Sequence, residues 1–328
     1  MNTPGHQALQ QAMGFRIPLY AHMSITVSDT GGKLSKRERP KALLSAIKAK
    51  TDIDMERLAA AGKISPEELS TFLEGKTTPD MPSIEAMAEF LDVHLPEINV
   101  LDFRNSGYLP ETMVNFLALL GWNPGDKREI MSVDELIQAF DLSRLTKTNS
   151  LFDRQKLLAF NTEHIRMADE EKLLHYFKQY LNITGSPAAR ADDQMLKQLI
   201  KINAGARTLA DIDKKCRFLF IENSQVKFDE KAVKKVLLKD QALTILQIIR
   251  NRLGAMKDFT EENIETMLRS LAEEKQVGLG KVAQPLRVAI CGNTISPPIF
   301  DSVRMLGIEN VLARIDIALK KFCSSPQA

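Results

Sequence analysis

Cysteine is scarce in this chain of 328 residues. The three present, Cys216, Cys291 and Cys323, stand far apart with no C-x-x-C pair. That spacing argues against a disulfide framework and a cysteine-rich zinc site, and predicts reduced thiols. No apolar stretch approaches the roughly 20 residues that span a bilayer, and the N-terminus lacks the apolar core of a signal peptide. A soluble cytoplasmic protein without membrane contact is expected. An excess of one charge is missing too: 44 basic against 42 acidic residues leave +2, so any grip on nucleic acid must come from local patches. No G-x-x-x-x-G-K-[ST] loop occurs, and no His/Cys/carboxylate cluster has the spacing of a metal site or a nucleophilic triad. A metal hydrolase and a nucleophilic enzyme are thereby disfavoured, and no metal ligand is assigned. No internal repeat is found.

What remains is ordinary globular material, 44% hydrophobic and 26% charged, long enough for two or three domains with real cores. Residues 3–16 are weakly helical in pattern, with Ala8, Leu9, Ala12 and Met13 on one face. Residues 20–27 alternate as a strand does, and Asp29 to Gly32 read as a turn. From Glu38 onward helices dominate. Ser65-Pro66-Glu67-Glu68 and Ser132-Val133-Asp134-Glu135 are capping boxes. The polar stretch 74–82 reads as a connection before a helix over 83–91. After Pro110 a helix carries Met113, Phe116, Leu117 and Leu120 on one stripe and ends at Gly121. The small residues of 183–192 suggest a hinge between two helical units. Helices are predicted over 194–203, 208–219, 229–238, 241–252, 261–274, 298–306 and 308–322, with a disordered tail over 324–328.

The segment with the most chemistry is Lys33-Leu34-Ser35-Lys36-Arg37, preceded by Gly31-Gly32. Two lysines three apart on a glycine-flanked loop suit a triphosphate, where charge develops on the α-phosphate and on departing pyrophosphate. Alone, such a run is more often a solvated face. Its surroundings change the odds. PLYAHMSITVSDTGGKLSKR (18–37) resembles the glutamyl-tRNA synthetase strand and turn that lead into the second signature motif of class I aminoacyl-tRNA synthetases. The stretch from GYLPETMVNF to FDLSRL (107–145), LFDRQKLLAFNTEHIR (151–166) and the stretch from LGKVAQPLRVAICGNTISPP to ARIDIAL (279–319) are similar to later parts of the same family, in family order.

The resemblance implies ATP-dependent ligation of L-glutamate to tRNA through a glutamyl-adenylate, with Mg2+ on the ATP phosphates. It implies that Lys33 and Lys36 are catalytic, with Lys36, Ser35 and Arg37 at the phosphates. Arg287 and Ser296 match positions that face anticodon bases; for Arg287 a surface salt bridge is the equal alternative. Gly205 stands where members that discriminate between tRNAs carry an arginine, with Arg207 nearby, so relaxed distinction between glutamate and glutamine tRNAs is a hypothesis. His22 matches a family position too, although a satisfied core histidine is the preferred reading. Lys231, Lys234, Lys235 and Lys239 share a predicted helix face that could track phosphates, with a solvated face at least as good an account. Trp122 reads as core.

The implied fold is mainly α: a short α/β remnant of a Rossmann-type class I catalytic domain (1–37), a helical insertion (38–106), a stem-contact domain (107–185) and an all-helical anticodon-binding domain (186–323). Two departures stand out. No H-x-G-H is present, so the isolated chain, expected to be a monomer, should bind tRNA without forming adenylate. The 69 residues from Glu38 to Ser106 separate KLSKR from GYLPE, where the family has a couple of dozen at most. The alternatives are a stand-alone tRNA-binding module, or one half of a split synthetase.

Overall fold

A computed structural model of the chain describes residues 2–28, 37–239 and 241–323. The predicted class holds: helices dominate, and the strands among the described residues are one short parallel pair. Two compact units divide near residue 164.

In the first unit, β1 (Thr26–Val27) pairs with β2 (Ser150–Leu151). The strand expected over 20–27 is thus confined to its last two residues. A strand persists only where its backbone groups find a ladder partner, and the preceding apolar residues Leu19, Met23 and Ile25 are exposed. Helix α1 (Thr3–Ala12) forms as expected but buries none of its residues.

Residues 38–90 build a small bundle of their own from α2 (Glu38–Ala49), α3 (Met55–Gly62), α4 (Pro66–Leu73) and α5 (Met81–Phe90). Leu43, Leu58, Leu69, Phe72, Ile84 and Met87 fill its core. Helix α4 starts where predicted: the Glu68 amide donates to Ser65 Oγ at 3.1 Å, and the Ser65 amide donates to Glu68 Oε2 at 2.8 Å. Helix α5 begins two residues before the prediction, because Asp80 accepts from the Ser83 amide and Pro82 sits in the first turn, where its missing N–H costs nothing. Between α3 and α4 lie three residues, with Lys63 left-handed at φ 52°. This is the layout of a helix-turn-helix, but the second helix exposes Glu67, Glu68 and, at its end, Glu74. Those carboxylates oppose phosphate contact.

Helices α6 (Val100–Asn105), α7 (Pro110–Ala118), α8 (Val133–Ala139) and α9 (Arg154–Met167) complete this part. Of the stripe predicted for α7, Phe116 is buried and Leu117 exposed. Phe116 packs with Phe103, Phe152 and Phe160. The capping box at Ser132 forms. Trp122 is core, as expected, and its Nε1 donates to the Asp141 carbonyl at 3.2 Å.

The second unit contains α10 (Glu170–Ile183), α11 (Asp193–Ile202), α12 (Leu209–Cys216), α13 (Glu230–Ala232), α14 (Ala242–Gly254), α15 (Glu261–Glu274), α16 (Leu279–Cys291), α17 (Ile299–Leu306) and α18 (Ile308–Cys323). The core of α14 to α18 centres on Leu246, Ile249, Leu268, Leu286, Val303 and Ile315. Two expectations change here. Residues 183–192 do not form a loose hinge: Ala188 is fully buried, and buried Ser186 donates to Asp213 Oδ1 at 2.5 Å. Small side chains here permit close packing. The helix predicted over 229–238 is α13 followed by a π turn, Val233–Leu237, closed by the Leu238 amide on the Val233 carbonyl at 3.1 Å.

Candidate nucleic-acid interface

Lys33, Ser35 and Lys36 lie outside the described residues. Arg37 is exposed and leads into α2. His22 is exposed, with Nε2 3.3 Å from Thr3 Oγ1. The core reading of that histidine is therefore corrected: among the described residues nothing buries its ring.

The second unit carries the better-defined site. Arg287 sits on α16 and reaches the loop that follows it, donating from Nη1 to the carbonyls of Ser296 at 3.2 Å and Pro297 at 3.4 Å. Its partners are carbonyl oxygens rather than a carboxylate, so the surface salt bridge considered for it does not form. Burial presses the guanidinium below its ordinary value, and Nε is shielded from solvent without a partner. Ser296 belongs to the same constellation. Its hydroxyl donates to the Pro297 carbonyl at 2.7 Å and accepts from Ser302 Oγ at 3.3 Å.

The loop is held from behind by Gly292, which ends α16 at φ +79°. A Cβ there would stand 2.1 Å from the Lys227 carbonyl oxygen, and the Gly292 carbonyl accepts from the Asp229 amide at 2.8 Å. Only glycine permits so close a backbone approach in that conformation. A buried arginine missed by sequence reading, Arg314 on α18, fixes the end of α16. It donates to the carbonyls of Ile290, Phe218 and Ile221 and to Asn223 Oδ1, at 2.7 to 2.9 Å.

Gly205 and Arg207 lie in the exposed turn before α12. A Cβ on Gly205 would meet no atom within 4 Å. The turn is ordered by a capping box: Asp211 Oδ2 accepts from the Arg207 and Thr208 amides, and the Asp211 amide donates to Thr208 Oγ1. The Asp211, Lys214 and Lys215 side of α12 forms one wall of a cleft of about 540 Å³, whose other walls are Lys227–Asp229 and the loop residues Asn293 and Ile295. The loop bearing Ser296 and the helix capped beside Arg207 thus meet at one cleft. Ile295 is 62% exposed, an apolar surface beside three lysines. Such a mixture can pack against an unpaired base and neutralise the adjoining phosphates.

Of the predicted lysine row, Lys235 and Lys239 line a different cavity, whereas Lys231 and Lys234 do not. The π turn breaks the periodicity that would place all four on one face. Among the described residues, no group of three His, Cys, Asp or Glu side chains could hold a metal, and no helix is long and apolar enough to cross a membrane.

Residues 171–319 match the sequence family described as an anticodon binding domain. Residues 96–159 match that of the class I tRNA synthetases (E and Q), catalytic domain. A glutamate–tRNA ligase from Syntrophus aciditrophicus is 37% identical over 315 residues, covering 96% of this chain and 53% of the relative. Glutamate–tRNA ligase 2 from Parvibaculum lavamentivorans is 39% identical over 217 residues, covering 65% of this chain and 43% of the relative. The crystal structure of a glutamate tRNA ligase from Elizabethkingia meningosepticum in complex with its amino acid superposes with a TM-score of 0.63 at 27% identity, covering 97% of this chain and 55% of that one. The chain spans about half the length of the relatives it matches.

Proposed function

We propose, from the premise that this chain belongs to the glutamate–tRNA ligase family, that it serves the glutamylation of tRNA by gripping the anticodon end of its substrate. The second unit is the gripping part. Arg287 and the loop it steadies face the anticodon bases, Arg207 and Gly205 stand at the third base, and Lys214, Lys215 and Lys227 neutralise phosphates. The observation that carries this reading is the single cleft shared by α12 and the loop after α16. ATP is the co-substrate, bearing Mg2+ on its phosphates. Lys33 and Lys36, with Ser35 and Arg37, would meet those phosphates as the α-phosphate is attacked by glutamate carboxylate and pyrophosphate leaves.

Open space around Gly205 suits relaxed choice between glutamate and glutamine tRNAs, since no side chain there can penalise the third base. Binding of both tRNAs to parent protein and Gly205→Arg tests this. The parent should hold the two within about threefold, and the variant should favour glutamate tRNA by about tenfold, as one bidentate arginine contact is worth roughly 1–3 kcal/mol. A parent that rejects glutamine tRNA contradicts the specificity claim. A parent that binds neither contradicts the whole reading.

A further inference from the structure

The cleft between α12 and the loop after α16 has an aromatic wall, Phe228. This residue is half-buried, and its ring is held from the α18 side. Phe322 meets it edge-on with centroids 5.2 Å apart, and Lys321 Nζ lies 5.3 Å from its centroid. The backbone sets the ring beside the loop. The Lys227 carbonyl abuts Gly292, and the Asp229 amide donates to the Gly292 carbonyl at 2.8 Å. That contact brings Phe228 and Asn293 to the same cleft, which both line.

Asn293 is exposed, and its side chain has a defined polarity. Oδ1 accepts from the Ile295 amide at 2.7 Å, which identifies that atom as the oxygen. Nδ2 carries two hydrogens, and its contact with the Cys291 carbonyl is 3.5 Å long, beyond the usual hydrogen-bond range. Asn293 is therefore a fixed donor at the cleft. Two carboxylates of the lining are engaged in capping: Asp211 Oδ2 accepts from the Arg207 and Thr208 amides, and Asp229 Oδ1 from the Ala232 amide at 2.6 Å. A flat ring, a fixed donor and the ammonium groups of Lys214, Lys215 and Lys227 complement one unpaired nucleotide. They match its π face, an acceptor on its base edge and its flanking phosphates.

We infer that Phe228 and Asn293 form a base-reading pocket, in which one unpaired base of the tRNA stacks on the Phe228 ring while Asn293 Nδ2 donates to its exocyclic keto oxygen. The inference rests on the proposed function above and adds the groups that read this base. Stacking accepts any base. The Asn293 donor selects a keto base, uracil or guanine, over an amino base, cytosine or adenine, whose amino group would face another donor.

Asn293→Asp removes the donor but keeps an oxygen for the Ile295 amide, so the loop is preserved. The added charge weakens every tRNA alike, and a double-mutant cycle separates that uniform loss from base reading. Fluorescence anisotropy on the full chain compares glutamate tRNA with three versions, each with one anticodon base exchanged between keto and amino. At one keto position the exchange should weaken the parent by about fivefold and should not weaken Asn293→Asp. Phe228→Leu should weaken all four tRNAs by about tenfold without changing the salt slope, because stacking is lost and no phosphate contact is. Phe228→Trp should restore binding. Coupling at none of the three positions overturns the inference, and so does a Phe228→Leu chain that binds like the parent. Lys214→Glu/Lys215→Glu reports the proposed function in the same assay. If that variant alone weakens binding, the base-reading pocket fails and the proposed function stands, whereas a parent that binds no tRNA overturns both.

Discussion

Replacing Gly292 by alanine tests whether the loop after α16 is positioned by backbone contact. The native residue is left-handed, a conformation that costs an alanine roughly 1–2 kcal/mol. The new Cβ would lie 2.1 Å from the Lys227 carbonyl oxygen. An ordinary carbon–oxygen contact is about 3.3 Å, so the two segments must separate by about an ångström. That movement breaks the 2.8 Å bond from the Asp229 amide to the Gly292 carbonyl, worth about 1 kcal/mol. The expected loss is therefore about 2–3 kcal/mol. With a urea dependence of about 2 kcal/mol/M for a unit of this size, the midpoint should fall by roughly 1 M. Glutamate tRNA binding should weaken in parallel, because the displaced loop holds Ser296 and the carbonyls that anchor Arg287. For the urea midpoint, Gly205→Ala is the matched control, since its Cβ meets open space at an unstrained φ. A Gly292→Ala midpoint within about 0.2 M of the parent, on the same urea dependence, would refute the close-approach argument.

Arg314→Leu leaves three carbonyls and the Asn223 amide oxygen without their buried donor. A loss of about 3–5 kcal/mol is expected, a fall in melting temperature of roughly 10 °C, and a change under about 3 °C in calorimetry would contradict it. Burial pushes the thiols of Cys216 and Cys291 up to about 12, whereas Cys323 is exposed. A thiol-disulfide reagent at mild alkaline pH should titrate one group at once and the other two only on unfolding. The His94–Glu97 contact at 2.9 Å makes stability depend on pH. The hydrogen bond to Glu97 raises the imidazole above its ordinary 6.5, so its contribution is complete below that value and disappears as pH rises through the folded value. Burial would raise Glu97, but bonds from His94 and Ser106 outweigh it and lower the carboxyl below 4.5, so its contribution is complete above that value and disappears in acid. Urea midpoints should thus fall between pH 6 and 8 in the parent, and a His94→Gln variant with the same slope would contradict this.

Local sequence rules were sufficient for much of the helical body. The caps at Ser65 and Ser132 and the range of α15 depend on neighbours three or four residues away, and those elements formed as read. The misses share one cause, dependence on residues distant in sequence. The alternation of 20–27 is a strand pattern, yet a ladder needs a partner, and only Ser150–Leu151 supplies one among the described residues. The small residues of 183–192 look flexible in isolation, but Asp213 and the core around Ala188 hold them. A helix over 229–238 fits the local pattern, and no local signal marks the π turn that redirects Lys235. For the site, Arg287 and Ser296 were legible as a pair only through resemblance. Arg314, bound to carbonyls 24 to 96 residues away, was not legible at all.

The central claim, that the second unit grips tRNA through the cleft between α12 and the loop after α16, is tested most directly by glutamate tRNA binding across a salt series. Parent chain and Lys214→Glu/Lys215→Glu should be compared by fluorescence anisotropy. The parent should bind at low salt and weaken steeply as salt rises, and the variant should bind about tenfold more weakly, with a log–log salt slope shallower by about 1–2. A variant that follows the parent curve, or a parent that binds no tRNA at low salt, would contradict the claim.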